Sequence, residues 1–332
     1  MTDTTEMTFD AIVALGARAL ERSKVSPENA LSVARSIAAA ERDGQPIVGL
    51  SYLPVYCEHA ACGKVDGHAV PKMTRPAPGA VFVDAGTGFA HPAIELGLPA
   101  LVEAAKANGI AALGVGNSYA CGSLGYFVEA LAEEGLVAFM AANASRTVAA
   151  HGGTKPFFGT NPIAFAAPRK DHAPLVIDQS SSATAFVAVV DAKNRGLPLP
   201  DGWALDSDGQ PTNDAEAALS GALLPVGGHK GFGLGLMVDI LAAGLTGANW
   251  SFEASSFGDT EGGPPRTGQF IIAIAPERFG GNAFTERLEA MLSAVKDGAP
   301  AVRLPGERRL AARDRQTDAI TVSSKAVAAL EA

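Results

Sequence analysis

The chain is short of cysteine, of continuous positive charge and of long apolar runs, and each shortage closes a class of function. Cys57, Cys62 and Cys121 are the only cysteines in 332 residues, an odd number that argues for reduced thiols over a disulfide framework. A net charge of -9 without an extended lysine or arginine run argues against nucleic acid, whose binding is driven by phosphate neutralisation. The strongest apolar run, 234–245, is interrupted by Asp239 and falls short of the roughly 20 residues needed to span a bilayer. Residues 1–6 are acidic where a secretory leader would be basic, so a cytoplasmic protein with no membrane partner is expected. No Gly-x-Gly-x-x-Gly joins an early strand to a helix, and no Gly-x-x-x-x-Gly-Lys-Ser/Thr loop is present. Any nucleotide must be held in another way.

What the chain has is enough apolar material for a large core: 47% hydrophobic against 18% charged residues, with two structural units expected at this length. Apolar spacing over 8–42 predicts two helices, the second opened by Ser26-Pro27-Glu28 as N-cap, first-turn proline and early acid, and stopped by Asp43-Gly44-Gln45-Pro46. Short apolar runs at 81–83, 110–115, 136–142, 163–167, 175–177 and 270–275 predict buried strands. Helices are expected at 99–108, 122–134, 231–245, 284–295 and 323–330. Residues 206–211 form a polar turn, and 251–268 a long loop that either covers a site or is solvated. The class is α/β or α+β.

The segment Gly227-Gly228-His229-Lys230-Gly231 feeds a long apolar helix. Unpaired N–H groups and partial positive charge at such a junction favour phosphate or carboxylate, more so beside Lys230. A glycine turn before a core helix is the plainer alternative. Cys57, His59, Cys62 and His68 lack the paired spacing of structural zinc, and no metal is expected. Cys121 has no local base and is expected to be a small packing residue.

Further segments join this one: 119–124, Phe158-Gly159-Thr160-Asn161-Pro162, Ile177-Asp178-Gln179-Ser180-Ser181-Ser182, and Leu304-Pro305-Gly306-Glu307-Arg308-Arg309. Together they resemble the type-2 malate/L-lactate dehydrogenase family over nearly the whole chain. Residues 221–225 and 244–253 are most similar to its Δ1-piperideine-2-carboxylate/Δ1-pyrroline-2-carboxylate reductases. The resemblance implies a homodimeric oxidoreductase using NADPH, or alternatively NADH. It also implies a non-Rossmann cofactor- and substrate-binding domain (76–282) on a largely antiparallel sheet, with a helical domain from both chain ends (1–75 with 283–332). Carried over by position, Cys121, Gly122, Ser123, Leu124, Asp178, Gln179 and Ser180 would line the coenzyme, with Gly306, Arg308, Arg309 and Lys230 near its phosphates. Thr160 would touch substrate, and His229 would lie where coenzyme and substrate meet. An acidic chain needs such locally concentrated cations to hold a dinucleotide.

The chain also departs from that family. Where members usually carry Ser-His-Gly-x-x-Arg, this one has Ile47-Val48-Gly49-Leu50-Ser51-Tyr52. A usual histidine becomes Ala120, and the Asp of the reductase subgroup falls in Phe186-Val187-Ala188. The exchange of polar groups for Ile47, Val48, Ala120 and Ala188, with Phe186 and Val187 beside them, predicts a drier substrate pocket. A cyclic or otherwise hydrophobic imine is then favoured over a keto acid, because an iminium is already electrophilic whereas ketone reduction must protonate a developing alkoxide. Tyr52 and His229 are the candidate catalytic groups, with His151 a third; packing beside Leu53-Pro54 is the plain alternative for Tyr52. A 2-hydroxy-acid dehydrogenase and a non-catalytic coenzyme-binding homologue remain as alternatives.

Overall fold

A computed structural model describes residues 3–299, 301–316 and 318–331. Its frame is a seven-stranded sheet in the order Lys72–Ala77, Ala80–Asp84, Ile110–Ser118, Thr267–Ile274, Val137–Ala142, Ile163–Ala167, Leu175–Gln179. Every neighbouring pair is antiparallel except Ala80–Asp84 with Ile110–Ser118, which are joined by the crossover helix Ala90–Asn108. All six expected strands lie in this sheet. Alternating residues give one face to the core: Val81, Val83, Leu113, Val115, Met140 and Ile271 pack against Ala90–Asn108 and Gly125–Glu133. The crossover helix starts nine residues before Pro99, which sits inside it.

A smaller five-stranded sheet runs Pro211–Thr212, Ala204–Leu205, Ala222–Leu223, Val148–Ala149, Pro156–Phe158. Asp206 closes its hairpin by accepting from the N–H groups of Asp208 and Gln210, each at 2.9 Å, as a polar turn should.

The two N-terminal helices, Phe9–Arg22 and Pro27–Arg42, are capped by Thr8 and Ser26, whose hydroxyls accept from Ala11 and Asn29. They share one core with a helix the apolar pattern does not show, Leu53–Cys62, and with the chain's other end. There Thr4–Met7 pairs antiparallel with Ile320–Ser323, and Leu330 of the last helix is buried. The helix Phe284–Gly298 packs elsewhere, placing Leu288 and Leu292 on Leu175 at the edge of the large sheet. The long loop is tied down by Lys64, whose ammonium donates to the Asp259 carbonyl at 2.8 Å, and its Phe257 ring lies 5.1 Å from Tyr119. No helix among the described residues is long and apolar enough to cross a membrane.

Candidate active site

The segments singled out in the sequence meet along one strip. At its centre, Asp178, the last residue but one of the strand Leu175–Gln179, points at the start of the helix Gly125–Glu133, where its Oδ2 accepts from the Gly125 N–H at 2.7 Å and the Ser123 hydroxyl at 3.0 Å. The carboxylate thereby satisfies an orphan donor and complements the helix dipole. Crowding by protein raises the Asp178 carboxyl above its ordinary range, against the pull of Gly125 and Ser123, even though the residue stays open to solvent. Asp178 is thus crowded by protein and still reachable by water. Gln179 is exposed beside it.

From Asp178 the strip runs two ways. One way, the Ser180 and Ser182 hydroxyls pair at 2.9 Å, and Ser181 donates both its N–H and its hydroxyl to the Thr160 carbonyl at 2.9 Å. Ser181 in turn accepts from the Val226 N–H at 3.0 Å, which brings in the 227–231 loop. A side chain on Gly231 would meet the Val226 carbonyl at 2.2 Å, so only glycine permits this approach. The helix starts at His229, and both His229 and Lys230 are exposed at its first turn. His151 from the facing loop stands with its ring 6.1 Å from that of His229. Phe186 opens the helix Phe186–Asn194 and packs with Phe158 and Phe232, while Val187 is half-buried next to it.

The other way leads to Tyr119, Ala120, Cys121 and Gly122. Cys121 is buried, and that burial pushes its thiol up to about 12. Leu124 is likewise core. Tyr52, half-buried and pushed up to about 12 by burial, sets its ring edge-on to Tyr56 at 5.1 Å, and Tyr56 lies 5.7 Å from Tyr119. Tyr52 therefore stands beside the 119–124 loop. Ile47 is 41% exposed and Val48 half-buried in the turn Pro46–Val48, and neither belongs to a buried core.

The cations divide. Gly306 packs against the Val176 carbonyl, and Arg308 next to it is exposed. Arg309 is 7% exposed and already committed: its guanidinium donates to Glu129 at 2.8 Å and to Asp43 at 3.2 Å, while Arg313 bonds the same two acids. Burial works against the Glu129 charge, but the two arginines outweigh it and hold the carboxyl below its usual range. Of the paired arginines expected near phosphates, Arg309 is thus tied up within the protein and Arg308 is free to face a ligand. Glu129 and Arg313 were not picked out in the sequence, and Asp43 only as part of a helix stop, although Arg309 and Arg313 stand four apart, a spacing that puts both on one helix face.

Comparison with known proteins places the whole chain. The family model for malate/L-lactate dehydrogenase matches residues 7–331. The chain is 42% identical to a (2R)-3-sulfolactate dehydrogenase (NADP(+)) of Chromohalobacter salexigens, over 96% of this chain and 95% of that protein. It is 43% identical to a Δ1-pyrroline-2-carboxylate/Δ1-piperideine-2-carboxylate reductase of Pseudomonas putida, over 89% of this chain and 86% of the other. The crystal structure of Δ1-piperideine-2-carboxylate reductase from Pseudomonas syringae superposes with a TM-score of 0.94 at 39% identity, covering 99% of both chains. With the match running almost end to end in both sequence and fold, this chain belongs to the malate/L-lactate dehydrogenase family.

Proposed function

We propose that the protein is an NAD(P)H-dependent reductase of a C=N bond in a cyclic or hydrophobic imine, an imino acid included, with NADPH the expected coenzyme and NADH the alternative. The observation that carries this reading is the contrast between two sets of positions. The cleft floor keeps its polar set at Ser123, Asp178 and Ser180, while the substrate positions 47, 48 and 188 hold Ile, Val and Ala. The names of the relatives lean the same way, since several are pyrroline- or piperideine-2-carboxylate reductases.

The donor set fits a dinucleotide. Gln179 and Ser180 offer an amide and a hydroxyl along the cleft, and Lys230 and Arg308 are exposed cations for phosphate. Asp178 holds the 123–125 turn in place, and Arg309 braces the helix behind it. Bound there, a reduced nicotinamide supplies hydride. Thr160 and the half-buried Phe186 and Val187 would orient the substrate, with Ile47 and Val48 excluding water. Tyr52 would give a proton to the imine nitrogen, and His229 is the second group for that task. Two units follow: 76–282 for coenzyme and substrate, and a helical unit, 1–75 with 283–332, whose helix Phe284–Gly298 leans on the first.

The same reading includes a cytoplasmic homodimer. Leu236, Met237, Ile240 and Leu245, between 43 and 60% exposed on one helical stretch, give a second copy an apolar surface to cover. The sulfolactate dehydrogenase relative keeps a 2-hydroxy-acid dehydrogenase in view as the second reading. Titration of nicotinamide fluorescence, followed by turnover of matched cyclic imines and keto acids, separates the cases. Imine turnover well above keto-acid turnover is expected; the reverse order overturns the proposal, and absence of coenzyme binding leaves a repurposed homologue.

A further inference from the structure

Asn161 is fully buried, carries a side chain and yet is left-handed, with φ +39°, and it stands directly before Pro162. Both facts run against backbone preference. A side chain disfavours that region, and a following proline pushes the residue before it toward extended backbone. The turn around it is just as constrained: a side chain on Gly159 would meet the Ala144 carbonyl at 2.3 Å and Asn161 Oδ1 at 2.7 Å. Only glycine at 159 leaves room for the Asn161 amide.

Both ends of that amide are held. Nδ2 donates to the Gly235 carbonyl at 3.0 Å, midway along the helix His229–Asp239, and Oδ1 accepts from the Ala144 N–H at 3.3 Å. The Ser251 hydroxyl reaches the same oxygen at 3.2 Å and the Asp239 carboxylate at 2.7 Å, so its one proton is shared between them. Asp239 is buried where the α-helix passes into the π-helical turns Ile240–Gly244, an irregularity that recurs at functional sites. Burial raises its carboxyl above the ordinary range against the pull of Ser251, Asn143 and Asn161, all of them uncharged. On the other side, Ser181 fixes the Thr160 carbonyl with its N–H and its hydroxyl. The Thr160 hydroxyl differs from all of these: Thr160 is half-buried, and its hydroxyl has no hydrogen-bond partner among the described residues.

We propose that Asn161 is a positioning residue whose left-handed backbone, fastened by Ser251 and Asp239, aims the free Thr160 hydroxyl at the substrate. The proposal rests on the imine-reductase reading, in which Thr160 touches substrate. A residue kept for the fold alone would be extended before Pro162 and apolar in so buried a place. A polar residue in a disfavoured conformation persists where its surroundings over-determine it, and that is the mark of a neighbour that must point one way. Hydride transfer makes such aim worth its cost, because a misplacement of about 1 Å slows a reaction on the order of a hundredfold. Asn161 itself does not touch substrate; it acts through Thr160.

The test is a double-mutant cycle in the full-length protein, with reduced nicotinamide coenzyme and a cyclic imine bearing a carboxylate. Thr160→Val removes the hydroxyl at nearly constant shape. Asn161→Gly tolerates the backbone conformation but unfastens it. Each alone should lower kcat/KM by about tenfold or more, and combining them should add less than about twofold to the larger single loss, because both remove the same contact. Losses that multiply mean that Asn161 serves the fold, and an unchanged rate in either single variant means that no aimed contact exists; each of these overturns the proposal. If Asn161→Gly does not fold, Ser251→Ala removes a single oxygen from the fastening and is held to the same cycle. A parent protein that turns over neither imine nor keto acid refutes the imine-reductase reading and this role with it. A parent that turns over the keto acid alone refutes that reading, and the cycle run on the keto acid then decides the role of Asn161 by the same criterion.

Discussion

Arg308 and Arg309 are adjacent in the chain, yet one faces solvent and the other is locked between two carboxylates. The same contrast separates two regions of the molecule. Behind the cleft, Asp43, Glu129, Arg309 and Arg313 bind the N-terminal helices, the helix Gly125–Glu133 and the C-terminal helix Glu307–Arg315 into one body. On the surface, Lys230 and Arg308 have no such obligations among the described residues. Charge paired in the interior holds architecture, and charge left open is what a polyanionic coenzyme can use.

The largest expected effect comes from breaking the first region. Arg309→Met leaves Glu129 and Asp43 buried with one arginine between them, and should lower unfolding free energy by about 3 kcal/mol in denaturant titration. Arg308→Met should leave stability within about 0.5 kcal/mol while weakening coenzyme binding. Matching losses in the two variants would erase the division.

A second effect is set by pH. His91 is depressed from 6.5 to about 4 by burial, so its neutral form contributes stability that is complete above 6.5 and lost as pH falls toward 4. Over that window the contribution falls by up to about 1.4 kcal/mol per pH unit. His91→Gln, which cannot titrate, should flatten this limb of the stability profile. A parent and variant with parallel profiles would place the acid sensitivity elsewhere. A smaller effect is expected from Lys230→Ala. Coenzyme affinity, read by nicotinamide fluorescence, should drop about tenfold with the melting temperature nearly unchanged. Unaltered affinity would remove Lys230 from the phosphate region.

Much of this was legible from local pattern. The six strands announce themselves as short apolar runs, and Ser26-Pro27 marks a helix start because its hydroxyl and fixed φ do there what the backbone needs. The loops that meet at Asp178 and Gly231 were also visible, because glycine and serine are placed where backbone must approach backbone. The helix Leu53–Cys62 was not, since its apolar residues do not form a clean stripe, and with it went Tyr56, four residues beyond Tyr52. Partners such as Glu129 for Arg309, 180 positions apart, depend on tertiary packing that no local spacing encodes. The pattern could name two arginines; only the fold could say which of them was already taken.

The smallest effect is the sharpest probe of the apolar side of the cleft. Val48 lies half-buried in the turn Pro46–Val48, outside the buried cores, so Val48→His should cost at most about 0.5 kcal/mol of stability. If this turn faces the substrate, an imidazole there restores a proton donor where the family has one, and ketone reduction gains more than imine reduction because it must neutralise an alkoxide. The ratio of keto-acid to imine turnover should therefore rise severalfold. A ratio equal to that of the parent would mean that the turn points away from the reacting atoms, and that the dryness of the pocket must be sought at Phe186 and Val187 instead.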